Sequence, residues 1–237
     1  MSRRAIVAGA TGGIGGACAR ALHAEGYELV LNARREVELQ TIADELGATA
    51  VAGDCADEAV TARVVDAAGE IDVIVHSVGV LNPQSLTEQS LADFDNVIRV
   101  NLRSAYVLVR ASLPALRPGG RIILISSIAP KLAMRGTGAY AAAKSGMNTL
   151  AAVLSNELER DGINVHVVSP GPVETGMVED TVKPYASLTS EDVAEVVRWL
   201  TTLPPYVQVG EIDVRAAARG PYGRIPVGGS SNNEASA

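Results

Sequence analysis

The alternation of two kinds of apolar segment along the chain constrains its fold more than any other feature. Short runs rich in valine and isoleucine fall at residues 5–9, 28–33, 48–53, 72–77, 121–126, 164–169 and 209–214. Most lack polar alternation, the pattern of strands covered on both faces. Between them lie longer segments with helical spacing, at 13–26, 36–46, 58–67, 90–116, 139–161 and 190–203. Gly26, Gly47 and Gly162 stand where a left-handed residue closes a helix. Ser190 followed by Glu191 and Asp192 makes a favourable helix start.

Strands and helices in alternation require a parallel sheet, because each crossover lays a helix on one face or the other. Right-handed crossovers then predict an α/β fold: a Rossmann-type doubly wound parallel sheet of about seven strands, with helices on both faces and ligand at the carboxyl ends of the strands. The 237 residues fit one domain, predicted over 1–215. No repeat or linker divides it. The segment 216–237 loses periodicity, turns rich in Gly, Ser and Asn, and is predicted to be a disordered tail.

Charge and composition exclude several functions. The net charge is -7 and no block of Lys or Arg is present, which argues against nucleic acid and anionic membrane as partners. No apolar run approaches the roughly 20 residues of a membrane span. The apolar stretch after Arg3 and Arg4 breaks into glycines too early for a signal peptide. Cys18 and Cys55 are too few for a disulfide framework and have no metal-type spacing. They are expected to be reduced, buried thiols in a cytoplasmic protein without a metal site.

The first strand runs into GATGGIG at 9–15, and a helix follows. Glycines let the backbone turn tightly and approach a diphosphate, whose charge is stabilised by N–H groups at the helix start. The spacing is Gly-x-x-x-Gly-x-Gly, and in an Ala/Gly-rich chain a purely structural turn is the competing reading. The place between first strand and first helix favours nucleotide binding, with Gly9, Thr11, Gly12, Gly13, Ile14 and Gly15 as the cradle. The second strand ends in Arg34 and Arg35, with no carboxylate before Glu36. Carboxylates at this place bond a ribose 2′-hydroxyl, whereas arginine suits a 2′-phosphate. NADP(H) is therefore the preferred cofactor, NAD(H) a possible one. The plainer alternative is two solvated arginines at the start of a helix.

Tyr140 and Lys144 are spaced i, i+4 on one helix face. A tyrosine with an ordinary pKa near 10 exchanges protons poorly at neutral pH. A nearby ammonium favours the phenolate and makes proton transfer at a substrate oxygen practical. A helix-surface pair is the alternative, but the chain has three lysines against 17 arginines, which makes a lysine here less incidental. Ser127 ends the fifth strand, where a hydroxyl faces the ligand crevice; a turn serine is the plainer role. Asn101 is polar within an apolar helix and is a candidate site residue or a satisfied buried amide.

These motifs, in this order from about residue 3 to 214, resemble those of the compact, single-domain short-chain dehydrogenase/reductase family. The glycine loop matches the family's diphosphate loop, with Ala8 where threonine is usual. Asp54 and Cys55 fall at the adenine contact. His76-Ser77-Val78-Gly79 stands for the family's Asn-Asn-Ala-Gly turn, leaving Ser77 and Gly79 as cofactor contacts; His76 is expected to be a buried, hydrogen-bonded imidazole. The resemblance implies a tetrad of Asn101, Ser127, Tyr140 and Lys144. In it Tyr140 is the acid/base, Lys144 bonds the nicotinamide ribose and lowers the tyrosine pKa, Ser127 polarises the substrate oxygen, and Asn101 holds a water leading to solvent. Pro170, Gly171, Val173 and Thr175 would dock the nicotinamide.

The implied activity is an NADP(H)-dependent interconversion of a ketone and a secondary alcohol. Competing readings are a 3-oxoacyl thioester reductase and a non-catalytic NADP-sensing regulator, which typically lacks the tyrosine or lysine present here. Met177, Val178, Val182 and Tyr185, with Pro83, Leu132 and Met134, would wall a mostly apolar substrate pocket. Lys131 or Arg135 would serve an acidic substrate or carrier, or stand as exposed charge. The apolar helices 90–116 and 139–161 suggest a homodimer or homotetramer.

Overall fold

The computed structural model describes residues 2–174, 187–217, 219–220 and 223–224. Seven strands form one parallel sheet: β1 (Arg3–Ala8), β2 (Tyr27–Ala33), β3 (Thr49–Ala52), β4 (Ile71–His76), β5 (Leu116–Ile125), β6 (Asn164–Pro170) and β7 (Glu211–Val214). Their order across the sheet is β3-β2-β1-β4-β5-β6-β7, so the chain reverses direction between β1 and β4. That reversal opens the crevice at the carboxyl ends of the strands where the Rossmann-type arrangement receives a ligand.

Each face of the sheet carries its own apolar layer. One is closed by α1 (Gly13–Ala24), α2 (Glu36–Leu46) and α8 (Ser190–Thr202), whose Leu22, Leu39 and Val197 bury completely against Val7, Leu31 and Ile123. The other is closed by α3 (Glu58–Ala68), α5 (Ser104–Ser112) and α7 (Gly138–Glu157), with Leu108 and Met147 packed on Ile74 and Ile122. Double-sided burial explains why these strands read as continuous apolar runs. Cys18 and Cys55 are both free and buried, and burial pushes each thiol up to about 12.

The structure departs from the expected single helix over 90–116. The chain forms α4 (Leu91–Ile98), one turn of π-helix at Arg99–Arg103, then α5. Asn101 supplies the reason: its Nδ2 donates to the Val97 carbonyl at 2.9 Å, competing for the acceptor an α-helix reserves for the backbone. Pro114 ends the run in a short 3₁₀ turn, and β5 starts earlier than expected, with an irregular register against β4. A short helix absent from the sequence pattern, α6 (Ala129–Leu132), follows β5 and ends on Ala133 at a φ of 46°. In the predicted tail, β8 (Arg219–Gly220) pairs antiparallel with β9 (Gly223–Arg224); most of the segment lies outside the described residues.

The start of α8 is closed by a capping box in which Thr189 accepts from the Asp192 N–H and Asp192 accepts from the Thr189 N–H. Thr189→Ala removes one of these bonds and should cost about 1 kcal/mol. A chain of this size should then melt roughly 2–4 °C lower, measurable by scanning calorimetry. An unchanged melting temperature would show that α8 is held by its apolar face alone.

Candidate active site

The crevice begins at the loop between β1 and α1. Gly9 and Ala10 donate N–H groups to the Asn32 carbonyl of β2, which draws the loop tightly over the sheet edge. Gly9 has a φ of 86°, and a β-carbon there would stand 2.7 Å from the Ser77 carbonyl oxygen. At Gly15 a β-carbon would fall against the Gly9 carbonyl, so the helix can start this close to the strand only with glycine. Helix α1 begins on Gly12 with no side-chain cap and no acidic residue in its first turn. The N–H groups of Gly13, Ile14 and Gly15 therefore lack intrahelical acceptors and suit an anion.

At the far end of the loop the two arginines differ. Arg35 donates to the Thr11 carbonyl at 2.6 Å and pairs with Glu38 at 2.7 Å, so it braces the glycine loop. Arg34 is exposed and forms no ion pair among the described residues. Asp54 is half-buried and held by Arg99 at 2.5 Å and by the Ala56 N–H at 2.9 Å. Burial raises its pKa, but these two donors, with the charges of Arg99 and the nearby Arg34, outweigh burial and hold the carboxyl below its ordinary range. Arg99 was not anticipated: no sequence pattern pairs it with a residue 45 positions away. The Cys55 thiol points into the core toward the Ser104 carbonyl, leaving only backbone for a ligand.

The four residues of the expected tetrad converge at the carboxyl edge of β4 and β5. Lys144 is buried and donates to the Ile125 carbonyl at 2.8 Å. Burial lowers its pKa from an ordinary 10.5 to about 7. Its ammonium stands 5.7 Å from the centre of the Tyr140 ring. Asn101 is fully buried: Nδ2 donates to the Val80 and Val97 carbonyls, and Oδ1 accepts from the Val80 N–H. Only one Oδ1 lone pair is spare. A side chain at Gly79 would come within 2.9 Å of that oxygen and 3.7 Å of Lys144 Nζ, so Gly79 keeps the space between them open.

One expectation is modified. Burial is the strongest influence on Tyr140 and raises its pKa; the hydrogen bond with Ser127 works in the opposite direction and is outweighed. Lys144 is not among the groups that shift it. His76 is a buried neutral imidazole, as expected: burial first, then the Lys144 charge, lower its pKa to about 3. Its Nε2 lies 2.8 Å from Ser104 Oγ, which donates to the Val100 carbonyl, so β4 is braced directly against the π turn.

Beyond β6, the Ile128 N–H donates to the Pro170 carbonyl and the Gly171 N–H to the Val214 carbonyl. Val173 is buried and bridges to Leu188, joining the two stems of the segment between them. Thr175, with Met177, Val178, Val182 and Tyr185, lies outside the described residues. Lys131 is committed to Glu211 and Asp213, which removes it from the groups available to an acidic ligand. A groove of about 780 Å³ lined by Leu113, Leu116, Leu158 and Ile163 lies at the opposite end of β5 and carries none of these polar groups.

A family model described as short chain dehydrogenase matches residues 3–186. The chain belongs to the short-chain dehydrogenase family. An uncharacterized oxidoreductase of Staphylococcus aureus is 31% identical over 221 residues, covering 89% of this chain and 96% of that protein. Among solved structures of this family's fold, an alcohol dehydrogenase from the archaeon Thermococcus sibiricus complexed with 5-hydroxy-NADP superposes with a TM-score of 0.84 at 29% identity, over 93% of this chain and 99% of that one. BdcA in complex with NADPH superposes at 0.83 with 26% identity, over 90% and 93% of the chains. The protein is thus a short-chain dehydrogenase of the NAD(P)-dependent oxidoreductase type.

Burying Lys144 opposes folding. Lowering an ammonium from 10.5 to about 7 costs on the order of 5 kcal/mol at neutral pH. One hydrogen bond from a charged group returns about 1.5–3 kcal/mol. Below pH 7 both folded and unfolded chains carry the proton and the penalty is complete. Between 7 and 10.5 only the unfolded chain binds it, so stability from this group rises with pH. Lys144→Met should therefore melt higher than the wild type near about pH 6, with the gain shrinking toward about pH 10. Melting curves of both proteins across that range test this; a pH-independent difference would sink it.

Proposed function

We propose that the protein is an NADP(H)-dependent oxidoreductase interconverting a ketone and a secondary alcohol, with Tyr140 as the acid/base. The convergence of Tyr140, Lys144, Ser127 and Asn101 beside the glycine loop carries this reading. The nicotinamide, when bound, supplies or accepts the hydride at the substrate carbon. Ser127 donates its hydroxyl to the substrate oxygen and orients it. Tyr140, its proton retained by burial, gives that proton to a carbonyl oxygen or recovers it from an alcohol. Lys144 meets the nicotinamide ribose and, when charged, favours the phenolate. Asn101 keeps one Oδ1 lone pair for a water between Lys144 and solvent.

Gly9, Thr11, Gly12, Gly13, Ile14 and Gly15 would hold the diphosphate, Asp54 and the Cys55 backbone the adenine, and Ser77, Gly79, Pro170, Gly171, Val173 and Thr175 the nicotinamide end. The open glycine cradle and the uncapped helix start fit such a ligand. Arg34, exposed and without an ion pair among the described residues, suits a 2′-phosphate; Arg35 supports it by ordering the loop. The NADP-type ligands of the two structural relatives favour the same preference. The commitment of Lys131 to β7 weakens the thioester-reductase alternative, since Arg135 alone remains. The complete tetrad weakens the regulator alternative. The buried thiols fit a reducing, cytoplasmic setting, and exposed Tyr106 of α5 and Val153 of α7 fit a homodimer or homotetramer built on those helices.

Nicotinamide absorbance during incubation with a panel of ketones tests the reading, with NADPH and NADH in parallel. Oxidation of NADPH should exceed that of NADH, and Tyr140→Phe should lower kcat by at least about 10²-fold. Substrate turnover that survives Tyr140→Phe would remove Tyr140 from its role. Arg34→Asp should move the preference to NADH; an unchanged preference would refute the phosphate contact.

A further inference from the structure

Outside the tetrad, a polar chain crosses from β5 to β7 beneath the reacting groups. Ser126, almost fully buried, donates its hydroxyl to Asn148 Oδ1 at 2.5 Å. Asn148 Nδ2 donates to Glu211 Oε1 at 3.1 Å. Fully buried Ser169 donates to the same oxygen at 2.7 Å, and the Lys131 ammonium meets it at 2.9 Å. Lys131 also pairs with Asp213, which pairs with Arg215 at 2.9 Å.

We propose that Asn148 and Glu211 are positioning residues, which through Ser126 orient the Ile125 carbonyl and the Ser127 hydroxyl toward the reaction. The inference rests on the carbonyl–alcohol reading above for its kinetic meaning. Its geometry is independent of that reading. Asn148 lies one helical turn beyond Lys144 on α7, so the two project from the same face. Ser126 lies between Ile125, whose carbonyl accepts the hydrogen bond from Lys144, and Ser127, which meets the Tyr140 hydroxyl. The Ser126 N–H is fixed separately by the Val168 carbonyl at 2.7 Å. The two elements that carry the reacting groups are thus pinned to each other just below them.

The carboxylate sets the sense of the whole chain. Ionised Glu211 only accepts hydrogen bonds, so Asn148 must turn its NH₂ toward it and its oxygen toward Ser126. Ser126 then has to donate. An apolar pair would pack these elements without choosing an orientation, whereas a fully satisfied polar chain allows one arrangement.

Exchanging the two groups tests this. Asn148→Asp alone sets a second carboxylate against Glu211 and should lower kcat by about tenfold, while the NADPH Kd stays within about twofold. Adding Glu211→Gln lets the amide donate to the new carboxylate at position 148, with the Ser169 hydroxyl turning to accept and Lys131 keeping its pair with Asp213, and should return kcat to within about threefold of wild type. The same restoration should appear in the ultraviolet titration of Tyr140, isolated by subtracting Tyr140→Phe. That titration reads the positioning whether or not any carbonyl compound is turned over. Absence of turnover in the wild type, with the titration shifted by Asn148→Asp and restored in the double variant, would refute the carbonyl–alcohol reading and support this one. The inference is overturned if Asn148→Asp leaves kcat and the titration unchanged. It is also overturned if the double variant shows only the product of the single effects, or if kcat falls only together with melting temperature and NADPH affinity.

Discussion

Removal of water from the Lys144 ammonium governs the arrangement around it. A buried cation persists only with an acceptor and with room for what it serves, and the surrounding residues supply both. The carbonyl of Ile125 is its acceptor at the end of β5. Gly79 leaves the opposite side without a side chain, and the π turn brings Asn101 to that same space. Helix α7 comes close enough because Gly146 faces Leu102 of the π turn, where a β-carbon would stand 2.9 Å from that side chain. A buried cation held at a net cost to stability is the pattern of a candidate functional site.

The sheet makes this affordable. A seven-stranded sheet whose central strands are buried on both faces gives a rigid platform, and at its carboxyl edge backbone groups and short side chains meet the crevice. Strand ends are locked to their neighbours in turn: the Ser77 N–H to the Ala8 carbonyl, the Ser126 N–H to Val168, the Gly171 N–H to Val214. The glycine loop, the cluster around Lys144 and the turn after β6 are therefore held relative to one another by the sheet.

Several of these features were legible in the chain. Continuous Val/Ile runs announced buried parallel strands, and the glycine spacing announced a close approach between β1 and α1. The i, i+4 spacing of Tyr140 and Lys144 placed both on one helical face. Other features had no local signature. The π turn arises because the Asn101 side chain competes for a carbonyl, which a periodicity count does not register. Helix α6 is four residues long, below the length at which an apolar period appears. The Arg99–Asp54 and Lys131–Glu211 pairs join residues 45 and 80 positions apart, and charge alone does not choose among the possible partners.

Sequence by itself determined the fold class, the glycine turn after β1 and the shared helix face of Tyr140 and Lys144, because periodicity, glycine placement and side-chain spacing act over a few residues. Tertiary structure decided their condition. Arg34 and Arg35, adjacent and alike in the chain, separate into a cation without an ion pair among the described residues and a brace only when Thr11 and Glu38 are brought beside one of them. Tyr140 and Lys144 depart from their ordinary pKa values in the directions that burial dictates. Desolvation belongs to the packed neighbourhood and not to the residue, so no sequence spacing specifies it.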